Sequence, residues 1–76
     1  MKEIQRVVID PNICHGKPTI RGTRIMVSNI LSLIRGGYTI PQILEYYPEL
    51  TEEDVKAAID YATAVIEEET ILTGTP

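Results

Sequence analysis

Apolar and polar positions divide the chain into two differently patterned halves. Ile4-Gln5-Arg6-Val7-Val8-Ile9 is a short β-branched run closed by Asp10-Pro11-Asn12, which predicts a strand followed by a turn. Cys14-His15-Gly16-Lys17-Pro18 is unsuited to helix because of Gly16 and Pro18, and is expected to be extended. Thr19-Ile20-Arg21-Gly22-Thr23-Arg24-Ile25 has the pattern of a tight hairpin. A type II′ turn is expected there, with Gly22 taking the positive φ of the first central position. In that register Arg21 and Arg24 become cross-strand neighbours, an unfavourable pairing of like charges unless an anion lies between them.

The remainder is helical in period. Val27, Ile30, Leu31 and Ile34 recur at i, i+3, i+4, i+7, and Gly36-Gly37 supplies a stop. Thr39 and Gln42 form a capping box ahead of a second helix striped by Ile40, Ile43, Leu44 and Tyr47 and ended by Pro48. Thr51 and Asp54 repeat the device for a third helix, Glu52 to about Glu69. Its Val55, Ala58, Ile59, Ala62, Val65 and Ile66 are expected to face the core, with Glu53, Lys56, Asp60, Thr63 and Glu67 facing solvent. Glu67, Glu68 and Glu69 oppose the helix dipole, so fraying is expected at that end. The fold class predicted is mainly α: a short N-terminal β-strand and β-hairpin, then a three-helix, homeodomain-like helix-turn-helix domain. One domain is expected over residues 1–70, with the strand and hairpin in 1–26, the bundle in 27–69 and a flexible tail at 71–76.

Length and composition narrow the function. A chain of 76 residues, 43% of them hydrophobic and 24% charged, is too apolar for disorder and holds one compact unit. No apolar run is long enough to span a bilayer and the first residues lack a signal-peptide core, so a cytoplasmic protein with no membrane partner is expected. Net charge is −4, but residues 1–37 sum to +4 and residues 38–76 to −8. The acidic whole argues against passive attraction to nucleic acid.

Candidate chemistry is sparse. The single cysteine, Cys14, adjoins the single histidine, His15; extended neighbours point to opposite faces, which suits neither a nucleophile–base pair nor a metal site. Gly16-Lys17 lacks the glycine and hydroxyl residue of a phosphate loop, since Pro11 and Pro18 stand there. No catalytic residue, metal or cofactor is expected. A recognition helix would present Glu52, Glu53, Lys56 and Asp60 to DNA, a net charge of −2 that phosphates repel.

The runs Ile9-Asp10-Pro11 and Gly16-Lys17-Pro18-Thr19-Ile20-Arg21-Gly22-Thr23-Arg24-Ile25 resemble the signature of a prokaryotic family, the domain of unknown function numbered four hundred and thirty-three. The match continues through Val27, Ile30, Leu31, Gly37, Ile43, Leu44, Tyr47-Pro48, Leu50-Thr51, Asp54-Val55, Ala58 and Tyr61-Ala62. It covers about residues 4–66, with Met26 standing where proline is expected. The resemblance implies a homeodomain-like domain preceded by a β segment, serving as the antitoxin partner of a PIN-like ribonuclease toxin.

On that reading the function expected is a non-catalytic protein-binding module. Asp10, Lys17, Arg21, Thr23 and Arg24 are the expected partner-binding residues, because guanidinium groups on a stiff hairpin bind carboxylates bidentately. Alternatively the chain is a small helix-turn-helix DNA-binding regulator. A homodimer is also expected. The strand Ile4–Ile9 has little to pair with inside so small a chain, and Val7, Ile9, Leu33, Tyr46 and Tyr61 are the candidate dimer or partner surface.

Overall fold

A computed structural model of the chain describes residues 5–73, with side chains through position 68. The elements follow in the order β1 (Val7–Val8), a 3-10 turn (Cys14–Gly16), β2 (Thr19–Ile20), α1 (Val27–Arg35), α2 (Ile40–Tyr46) and α3 (Glu52–Thr73). This is the mainly helical, three-helix architecture with a short N-terminal antiparallel pair that the hydrophobic pattern implied.

The β segment is wired differently from expectation. β1 pairs with β2, Val7 opposite Ile20 and Val8 opposite Thr19, and the Arg21 N–H extends the ladder by donating to the Arg6 carbonyl at 2.7 Å. The early strand therefore has a partner in its own chain. Ile4 lies outside the described residues.

The turn after β2 is also shifted. Thr23 N–H donates to Ile20 O at 2.9 Å, so Gly22, at φ +81°, occupies the second central position, where a type II turn needs a positive φ. Ile20 and Ile25 then close a four-residue loop through Ile20 N–H to Ile25 O at 3.0 Å. Both isoleucines are buried by this arrangement. A II′ turn would have set Arg21 against Arg24 across the strands. The wider loop separates the two charges and gives the core two side chains instead.

Cys14 to Gly16 is not extended. Cys14, His15 and Gly16 take φ values of +51°, +59° and +81°. The turn is tied by Gly16 N–H to Ile13 O and Lys17 N–H to Cys14 O. Two consecutive residues bearing Cβ in the left-handed region store roughly 1–2 kcal/mol each.

Helix boundaries follow the local signals closely. Met26, in place of proline, is an extended N-cap without a side-chain bond. The orphan N–H of Val27 is met instead by the Pro18 carbonyl at 2.9 Å. Gly36 caps α1, and Gly37 at φ +94° turns the chain out of it. The Thr39–Gln42 capping box forms as predicted. So does its counterpart at α3, with Asp54 N–H to Thr51 Oγ1 at 3.2 Å and Thr51 N–H to Asp54 Oδ2 at 3.0 Å.

The core is Ile20, Ile25, Val27, Ile30, Ile43, Leu50, Val55 and Ala58. Ile30, on α1, is wholly buried in this cluster, so truncation to alanine costs about 2–5 kcal/mol. α3 does not fray at Glu69 but runs 22 residues to Thr73. At ~1.5 Å per residue it is ~33 Å long, far longer than α1 or α2. Beyond Ala58 the expected burial fails along part of the helix: Ile59, Val65 and Ile66 are 38%, 41% and 62% exposed.

Candidate functional site

Two loops, residues 10–17 and 21–24, are joined on one end of the molecule, and the predicted partner-binding residues divide there into those that build the loops and those left to bind. Asp10 builds. Its Oδ1 accepts from Asn12 N–H at 2.9 Å and its carbonyl from Ile13 N–H at 2.9 Å, a side-chain turn that starts the left-handed segment. Thr23 builds as well: Oγ1 donates to Ile20 O at 2.8 Å and accepts from Ile25 N–H at 3.0 Å, fixing the shape of the loop. Arg21 is spent in the same way, Nε donating to the Gln5 carbonyl at 2.6 Å and clamping the β1 end to the turn. The Cys14 thiol lies 3.4 Å from the Arg24 carbonyl and donates to it, linking the two loops. Sequence reasoning left Cys14 without a role, since nothing local announces a contact ten positions away.

Lys17 and Arg24 remain. Both side chains are exposed, and among the described residues neither makes an ion pair or side-chain hydrogen bond. Arg24 borders a shallow depression of about 610 Å³ lined also by Ile13, Gly22, Thr23 and Glu49. Its backbone is held by the Cys14 thiol while its guanidinium is unoccupied. A pre-set, unpaired guanidinium is suited to a planar anion, carboxylate or phosphate, supplied from outside.

Of the five residues expected to form a dimer or partner surface, three line one groove and two do not. Val7, Ile9 and Tyr61 line a groove of about 1090 Å³ between β1 and α3, with Glu53, Lys56 and Asp60 on its helical wall. Leu33 is half-buried against the core, as are Val7 and Tyr61. Tyr46, 60% exposed, belongs instead to a tyrosine cluster at the end of α2, edge-on to Tyr47 at 4.9 Å and to Tyr38 at 6.5 Å. The largest omission was Arg6: its Nη1 reaches Asp54 Oδ1 at 3.0 Å, an ion pair on a carboxylate that is nearly buried.

Among the described residues no three of His, Cys, Asp and Glu gather as a metal-ion set, and no helix is long and apolar enough to cross a membrane.

The loops and core just described fall within one sequence family. The model of the family described as protein of unknown function (DUF433) matches residues 7–62. The chain belongs to the DUF433 family. A crystal structure of a DUF433 member from Anabaena variabilis superposes with a TM-score of 0.77 at 31% identity, covering 93% of this chain and 70% of that one. Uncharacterized protein y4eO of Sinorhizobium fredii is 34% identical over 58 residues, 76% of this chain. The DUF433 chain thus spans about a quarter of y4eO, 26% of its length.

Proposed function

We propose that this DUF433 chain is a non-catalytic, antitoxin-like module that acts in the cytoplasm by binding a PIN-like ribonuclease toxin. The observation that carries the reading is Arg24: an exposed guanidinium without an acceptor among the described residues, on a loop whose backbone is held by Thr23, Gly22 and the Cys14 thiol. A PIN-like nuclease gathers carboxylates to hold metal, and a guanidinium inserted among them would occupy that centre. Lys17 lies on the adjoining loop and adds positive charge.

Titrating the purified chain into a purified PIN-like ribonuclease from the same organism tests the proposal. A saturable complex with loss of nuclease activity is expected. Absence of any complex overturns it.

Operator DNA is the second reading, supported by the same Lys17 and Arg24 cations, which suit a phosphate backbone. The exposed Glu52, Glu53 and Asp60 at the start of α3 weigh against base reading by that helix. Binding to the upstream DNA that weakens steeply with salt would favour this alternative.

A further inference from the structure

Beyond the buried Val55 and Ala58, α3 carries an exposed apolar pattern. Ile59, Ala62 and Ile66 are spaced i, i+3, i+7 and share one side of the helix, with Val65 next to them. Ile59, Val65 and Ile66 are exposed at 38%, 41% and 62%. Lys56, the only base in α3, and Glu67 stand three turns apart on the same flank of this apolar strip.

We propose that this strip is the seam of an antiparallel homodimer, in which α3 of a second copy docks about a two-fold axis beside Ala62. In that register Ile59 of each copy meets Ile66 of the other. Lys56 of each comes alongside Glu67 of the other, and the small Ala62 side chain at the crossing lets the helices approach. A parallel arrangement would instead set lysine against lysine and glutamate against glutamate, so charge selects the antiparallel one. Both halves of the complement lie on one helix, which is what a two-fold interface requires of a single surface. The exposed Lys56–Glu52 contact at 3.5 Å is a weak competitor.

Sedimentation equilibrium of the full chain over roughly 1 μM to 1 mM, spanning weak to moderate affinities, tests the seam. A concentration-dependent dimer is expected. Ile66→Glu should weaken association at least about tenfold, since it sets an unpaired carboxylate against the apolar Ile59 of the second copy, with helical circular dichroism unchanged. Lys56→Glu alone should weaken it several-fold, and Lys56→Glu combined with Glu67→Lys should restore it. A monomer throughout, a dimer that Ile66→Glu leaves intact, or a charge swap that fails to restore association would each overturn the seam. The exposed Lys56 and Glu67 variants keep the test decisive should Ile66→Glu perturb the helix.

Discussion

Arg6 and Asp54, 48 positions apart, form the one long-range ion pair among the described residues, at 3.0 Å. The pair joins the β segment to the first turn of α3. Asp54 also accepts from the Thr51 N–H through its other oxygen, so one nearly buried carboxylate serves as helix cap and tertiary tie at once. Removing it leaves a helix donor and a guanidinium without their acceptor. Asp54→Ala should therefore cost about 2–3 kcal/mol, a fall in melting temperature of very roughly 10–20 °C for a domain of this size. Arg6→Ala, at a side chain nearly half exposed, should cost under about 1 kcal/mol. Thermal unfolding of the two variants checks the asymmetry, and equal losses would contradict the double role of Asp54.

Thr19 is fully buried between β1 and Met26, and its hydroxyl has no hydrogen-bond partner. An unpaired buried hydroxyl costs about 1–3 kcal/mol. Thr19→Val keeps the shape and removes that cost, so chemical denaturation should show a gain of about 1 kcal/mol. A loss of stability would mean that the hydroxyl has an acceptor after all.

His15, at φ +59° and ψ +32°, sits in the left-handed region with its side chain exposed. His15→Gly relieves the Cβ clash, which outweighs the extra freedom glycine gives the unfolded chain. Stability should be unchanged or higher by up to about 1 kcal/mol. A drop larger than that would assign the imidazole a structural contact.

What was legible in the sequence was local. The boxes Thr39–Gln42 and Thr51–Asp54 and the Gly36-Gly37 stop each act within a few residues, and the structure places all three as read. The turn at Gly22 was misplaced by one residue because glycine satisfies either a II′ or a type II turn. Burial of both Ile20 and Ile25 decided between them, and burial is a tertiary fact. The left-handed Cys14-His15 pair runs against residue preference and is sustained by contacts to Ile13, Lys17 and Arg24. Within the candidate site, residue type put Asp10, Lys17, Arg21, Thr23 and Arg24 on the two loops that the Cys14 thiol links. It could not separate Arg21, spent on the Gln5 carbonyl, from Arg24, which is not.

That separation makes the most direct test of the docking role. Arg24→Ala and Arg21→Ala are compared for affinity toward the PIN-like protein and for thermal stability. Arg24→Ala should weaken binding by roughly 10- to 100-fold, the worth of a charged hydrogen bond, with the melting temperature unchanged. Arg21→Ala should lower the melting temperature by a few degrees and leave the affinity of the folded protein nearly intact. Full affinity in Arg24→Ala would contradict the assignment of this loop as the docking surface.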